Sequence, residues 1–142
     1  MTLKEKISKY IINNQSKIKI NSKDVKKNDV FIALKGKKYH GNQFIEDAFE
    51  AGAKYCITDK EYNKSSIKKN VLYLNNVFSF LKALSIQKRS LFSGEVIGIT
   101  GSAGKTSLKE YLKFFLEKKY KISASIKSYN NDLGVMISIL NM

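Results

Sequence analysis

The sequence contains no proline and no tryptophan, and its only cysteine and only histidine are Cys56 and His40. A lone cysteine excludes an intrachain disulfide, and one cysteine with one histidine excludes a cysteine-based zinc site or a histidine cluster. Long apolar runs are missing too. The stretch Val30 to Leu34 falls far short of the ~18 to 20 residues that span a bilayer, and Met1-Thr2-Leu3-Lys4-Glu5-Lys6 holds no apolar signal core. The expectation is a cytoplasmic protein without membrane insertion. Acidic residues are scarce, 12 against 26 basic ones, for a formal charge of +14. Such a balance raises nucleic acid as a partner. Arginine, however, is nearly absent: Arg89 stands alone, whereas base readout and bidentate phosphate recognition favour the guanidinium fork. Lysines scattered through the chain read as a field that gathers small anions such as nucleotides, with no nucleic acid as partner.

What is present is enough for a packed core. The 142 residues are 43% apolar and 27% charged, which suits one domain, or one small domain and part of another. Thr2-Leu3-Lys4-Glu5 has the spacing of a capping box, and Leu3, Ile7, Tyr10 and Ile11 recur on one helical face, predicting a helix over 2–14. A short alternating piece, Ile18-Lys19-Ile20, precedes a polar loop and the apolar strand Val30 to Leu34, ended by Gly36. Ile45, Ala48 and Phe49 predict a short helix closed by Gly52, followed by the strand Tyr55 to Thr58. After a polar loop come the strand Val71 to Leu74 and a helix capped by Asn76 and carrying Val77, Phe80, Leu81 and Leu84. Past about Phe92 the pattern restarts: the strand Val96 to Thr100, a glycine-bearing turn, a helix with Leu108, Tyr111, Leu112 and Phe115 on one face, a strand over Lys121 to Ala124, and a last apolar helix or strand over Leu133 to Leu140. Alternating strands and helices predict an α/β fold, with a parallel sheet around Val96 to Thr100, divided into units at 1–76 and 77–142. The second unit lacks the helices that a parallel sheet needs on both faces, so an apolar face or edge is expected to lie open to self-association.

The sharpest chemistry lies between a predicted strand and a predicted helix, in Thr100-Gly101-Ser102-Ala103-Gly104-Lys105-Thr106-Ser107. Glycines let successive backbone N–H groups converge on phosphate oxygens, and the following helix N-terminus adds partial positive charge. Lys105 is placed to reach the outer phosphates of ATP, and the Thr106 hydroxyl to ligate Mg²⁺. The general phosphate-loop pattern wants glycine five positions before Gly104, where this chain has Ile99.

That departure is itself a likeness. The loop, followed by Lys109-Glu110, resembles the ATP loop of the Mur ligase family, and Asn130-Asn131-Asp132-Leu133-Gly134-Val135 resembles a segment of the branch that joins D-alanyl-D-alanine to UDP-N-acetylmuramoyl-tripeptide. Upstream, Asn21-Ser22-Lys23, Asp29 to Gly36 and Gly41 with Phe44-Ile45 resemble the N-terminal domain that holds the UDP end of the substrate. The resemblance implies a small α/β uridine-binding domain followed by the opening strand, loop, helix and strand of a parallel-sheet ATPase domain. It implies a ligase that phosphorylates a substrate carboxylate with ATP and forms an amide, with Lys105 catalytic and Thr100 to Ser107 around ATP. It also implies Mg²⁺ at Thr106, and Asn21, Ser22, Lys23, Gly41, Asn130 and Asn131 on the substrate. In this chain Asn21-Ser22-Lys23 stands where the family usually has Asp-Ser-Arg, Asn28 where it has glycine, and His40 and Asn42 flank Gly41 in place of Asp and His. The expected outcome for the chain alone is nucleotide binding without turnover. The related ligase that adds the third stem residue, and a standalone nucleotide-binding module, are the alternatives.

Overall fold

The computed structural model describes residues 1–13, 17–36, 38–64, 68–125 and 131–142. Its first helix, α1 (Leu3–Asn13), begins with the capping box that the sequence predicts: the Glu5 amide donates to Thr2 Oγ1 at 3.2 Å, and the Thr2 amide donates to Glu5 Oε2 at 2.8 Å. Each side chain satisfies an amide that the helix start would leave without a partner.

Four strands follow, β1 (Ile18–Lys19), β2 (Val30–Ala33), β3 (Tyr55–Thr58) and β4 (Val71–Tyr73). They pair in that order and all in parallel. The fold is therefore α/β, as the alternation of strands and helices predicts, and the parallel sheet is formed by these four strands and not around Val96 to Thr100. Helix α2 (Ile45–Glu50) connects β2 to β3, and α3 (Val77–Leu91) leaves β4 with Asn76 accepting from the Ser79 amide at 2.8 Å. Beyond α3 the described residues hold α4 (Lys105–Leu116) and α5 (Asp132–Leu140).

Alternation along the strands sorts the core onto two faces. Val30, Ile32, Ile57 and Leu72 pack with α1, α3 and α5 through Ile7, Ile11, Leu81, Ile137 and Leu140. Phe31, Ala33, Cys56 and Val71 pack on the other face with Ile45 and Ala48 of α2. Burial alone pushes the Cys56 thiol up to about 12, which makes it a core side chain and not a nucleophile. The tight turn before β2 places Asn28 at φ 71°, a left-handed conformation that asparagine tolerates, and its amide donates to the Gly52 carbonyl at 2.8 Å.

Helices α3 and α5 both pack on the four-stranded sheet. One feature differs from the sequence pattern: Val96–Thr100 and Lys121–Ala124 form no strand. Val96 and Ile97 remain 51% and 59% exposed. A parallel strand needs neighbours and cover on both faces, and a lone two-stranded ribbon is marginal in water. No residue of helix α4 is buried, and its predicted core positions Tyr111 and Phe115 are 65% and 63% exposed. Phe78 and Phe114 are exposed as well, whereas Phe80 is buried as its spacing suggests.

Candidate functional site

The glycine-rich loop enters α4 through two residues of positive φ, Gly101 at 150° and Gly104 at 75°. A Cβ at Gly104 would meet nothing within 4 Å, so glycine is required there by backbone conformation and not by crowding. Gly104 is the N-cap of α4. Its carbonyl accepts from the Leu108 amide at 2.9 Å, and no side chain caps the first turn. The helix start therefore presents uncapped N–H groups and its partial positive charge to the loop. Lys105, the first helical residue, folds its ammonium back over the loop, donating to the Gly101 carbonyl and, at 3.4 Å, to the Ser102 carbonyl. Thr100, Ser102, Ala103, Thr106 and Ser107 are exposed around it. One turn further along α4, Lys109 donates to the Ser125 carbonyl at 2.8 Å and pairs with Glu110 at 2.9 Å, and that hydrogen bond and charge hold the Glu110 carboxyl below its usual range. Among the described residues there is no group of three or more acidic, histidine or cysteine side chains able to hold a metal ion.

Asn21, Ser22, Lys23 and Gly41 follow the carboxyl ends of β1 and β2, the end of the sheet where open α/β folds bind ligands. Past β1, Asn21 caps a 3-10 turn over Ser22–Asp24, accepting from the Lys23 amide at 3.2 Å. Asn21, Lys23 and Lys26 line a cavity of about 430 Å³ together with Ile137 and Asn141 from the end of α5. Ser22 is not among its walls. Past β2, Gly41 opens a second 3-10 turn, and its amide donates to the Leu34 carbonyl at 2.9 Å. His40 Nδ1 accepts from the Asn42 amide at 3.1 Å, while Nε2 faces Asp59 Oδ1 at 2.8 Å. The Asn42 side chain accepts from the Thr58 hydroxyl and donates to the Lys60 carbonyl at 3.0 Å, so the turn is fastened to the end of β3. Asn131 caps α5, accepting from the Gly134 amide at 2.8 Å, and Asn130 lies outside the described residues. A larger hollow, about 500 Å³, opens between α1 and α3 beside Lys4, Ser8 and Gln87, away from the glycine loop. Among the walls that sequence reasoning missed are Lys26 and, distant in sequence, Ile137 and Asn141. Only a polar residue after an apolar run marks the last two locally.

The model of the Mur ligase family, catalytic domain, matches residues 15–91, and that of the Mur ligase middle domain matches residues 99–142. The chain belongs to the Mur ligase family. It is similar to the UDP-N-acetylmuramoyl-tripeptide--D-alanyl-D-alanine ligase of Rickettsia prowazekii (strain Madrid E), at 40% identity over 91% of this chain and 28% of that protein. It is also similar to the UDP-N-acetylmuramoyl-L-alanyl-D-glutamate--2,6-diaminopimelate ligase of Clostridium tetani (strain Massachusetts / E88), at 32% identity over 93% of this chain and 30% of that one. Among solved structures, the MurF ligase of Thermotoga maritima in complex with ADP superimposes with a TM-score of 0.69 at 33% identity, over 93% of this chain and 30% of that one. The chain thus spans about 28% to 30% of the length of these relatives. No helix among the described residues is long and apolar enough to cross a membrane.

Proposed function

We propose that this chain is the nucleotide-holding part of a cytoplasmic peptidoglycan-precursor ligase that joins D-alanyl-D-alanine to UDP-N-acetylmuramoyl-tripeptide. The observation that carries the reading is the uncapped, glycine-led start of α4 with Lys105 folded over it, in a chain that shares 40% of its aligned residues with such a ligase. The residues fit ATP with Mg²⁺: the uncapped start of α4 offers backbone N–H groups, Lys105 supplies a cation over the loop, and the exposed Thr106 hydroxyl supplies an oxygen.

In the proposed reaction a carboxylate oxygen of the muramoyl peptide attacks the γ-phosphorus of ATP, and the bond from that phosphorus to the ADP oxygen breaks. The amine of D-alanyl-D-alanine then attacks the acyl carbon, loses a proton, and expels phosphate as the amide forms. The magnesium ion, when bound, neutralises phosphate charge. Lys105 leaves the Gly101 and Ser102 carbonyls and takes the outer phosphate oxygens, holding the transferred group in line and balancing the charge that builds on it. Gly101 and Gly104 keep the loop amides turned toward the same oxygens. At the other end, Asn21 and Lys23 hold the UDP end in the cavity beside β1, and Gly41 positions the turn that closes over β2. The 142-residue chain by itself is expected to bind without completing the amide.

Calorimetric titration with Mg-ATP and, separately, with UDP-N-acetylmuramoyl-tripeptide tests the reading. Two independent binding events are expected. Failure of a folded sample to bind either ligand would sink it. Diaminopimelate ligases are among the relatives, so amide formation in a longer chain should be assayed with both D-alanyl-D-alanine and diaminopimelate.

The uncovered face of α4 gives a further expectation. Tyr111, Phe114 and Phe115 lie in solvent on one short helix, and an exposed apolar patch of this kind marks an interface or an aggregation surface. Sedimentation should show concentration-dependent self-association, reduced by Phe115→Lys. A monodisperse monomer across the concentration range would contradict it.

A further inference from the structure

The edge of the sheet at β1 is closed in an unusual way. The Val30 amide donates to the Lys17 carbonyl at 3.0 Å, so by the alternation of strand backbone groups the N–H and C=O of Ile18 point away from β2, toward the free edge. Among the described residues no fifth strand pairs with them. Instead, the Asn141 carboxamide makes both bonds: Oδ1 accepts from the Ile18 amide at 2.6 Å, and Nδ2 donates to the Ile18 carbonyl at 3.1 Å. One side chain at the end of α5 acts as a one-residue strand. Two lysines hold the same helix end. Lys88 Nζ donates to the Leu140 carbonyl at 2.6 Å and reaches the Ile11 carbonyl at 3.4 Å, and Lys17 Nζ donates to the Asn141 carbonyl. Both cations sit where the helix dipole is negative.

This clamp lies against the cavity beside Asn21 and Lys23, because Ile137 and Asn141 are two of its walls. The strand side of the cavity comes from residues 15–91, matched by one family model. The α5 side comes from residues 99–142, matched by the other, which also carry the glycine loop. Helix α5 starts at the Asn131 cap and spans about 14 Å to that wall at 1.5 Å per residue.

We propose that Asn141 is a positioning residue that couples occupancy of the β1 cavity to docking of α5, so that a uridine diphosphate group binds tightly only when α5 is seated on the Ile18 edge. This rests on the reading of the cavity as the seat of the UDP end. By linkage, a ligand that needs the seated helix stabilises the seated helix to the same extent. A variant that unseats α5 lowers apparent affinity by the fraction still seated.

The test uses UDP as the probe on the full chain, with titration calorimetry and amide hydrogen exchange in parallel. In the unaltered chain, UDP is expected to slow exchange in α5 around Ile137 to Leu140 by about tenfold or more, besides any protection at 19–26. Asn141→Ala is expected to weaken UDP binding by about tenfold and to lose that protection. Because Asn141→Ala also removes two structural bonds, the exchange experiment on the unaltered chain carries the decision: a merely structural contact leaves α5 exchange indifferent to UDP. UDP binding with no change in α5 and unchanged affinity in Asn141→Ala overturns the coupling alone. Absence of UDP binding to the folded, unaltered chain overturns the cavity reading and the coupling with it.

Discussion

Lys105→Ala should weaken Mg-ATP binding by about 10- to 100-fold, since hydrogen bonds to charged groups are worth about 1.5 to 3 kcal/mol and each 1.4 kcal/mol is tenfold. The lower end of that range reflects competition within the loop. The ammonium already has two carbonyl acceptors, Gly101 and Ser102, and ATP binding exchanges these for phosphate oxygens. What is gained is the difference between neutral and ionised acceptors, which favours phosphate. Stability should barely change, because no buried contact is lost. Binding of UDP-N-acetylmuramoyl-tripeptide should also be unaffected, which separates loss of this interaction from general unfolding. Lys105→Arg is expected to recover only part of the affinity, since the planar fork does not reproduce a compact point charge at the same reach. Paired titrations of the three proteins with both ligands give the answer. Unchanged ATP affinity in Lys105→Ala would remove the loop from the functional argument.

The parts of the fold that are legible in the sequence are those written in local patterns. The capping box at Thr2 and Glu5, the Asn76 cap and the strand Tyr55 to Thr58 each depend on residues within a few positions of one another, and each is found where the pattern puts it. The departures concern partners. A strand signal at Val96 to Thr100 states only that the segment is apolar and β-branched, and says nothing of whether neighbours exist to pair with it. Apolar residues over Leu133 to Leu140 give no direction either, and here they form a helix that covers the first sheet.

The site follows the same division. Glycine and lysine spacing in the phosphate loop is local, so its shape could be anticipated. The Asn141 bonds to Ile18 join residues 123 positions apart, and the His40 to Asp59 contact joins residues 19 apart, so neither has a sequence signal of its own. The contacts of His40 and Asn42 give the exchanged residues around Gly41 a physical account. Both side chains are tied to the end of β3, which fastens the turn with a different pair of residues.

Gly41→Ala is the substitution expected to cost most stability. A Cβ at Gly41 would lie 2.7 Å from the Ala33 Cα and 2.9 Å from its carbonyl carbon, both backbone atoms of a central strand that cannot retreat. The turn must lift instead. Lifting stretches the 2.9 Å bond from the Gly41 amide to the Leu34 carbonyl and pulls His40 from Asp59 and Asn42 from Thr58. Overpacking costs about 1 to 3 kcal/mol and a lost hydrogen bond about 0.5 to 1.5 more, which for a chain of this size lowers the melting temperature by roughly 5 to 12 °C. Gly98→Ala is the matched control, because a Cβ there meets nothing within 4 Å, and its melting temperature should stay within about 2 °C of the unaltered chain. Thermal unfolding followed by circular dichroism decides between crowding and composition. If Gly41→Ala melts with the unaltered chain, the close approach to Ala33 does not constrain the turn. If it melts early, affinity for the muramoyl nucleotide should fall with it under the proposed function, since the displaced turn follows the carboxyl end of β2, the side on which open α/β sheets bind ligands.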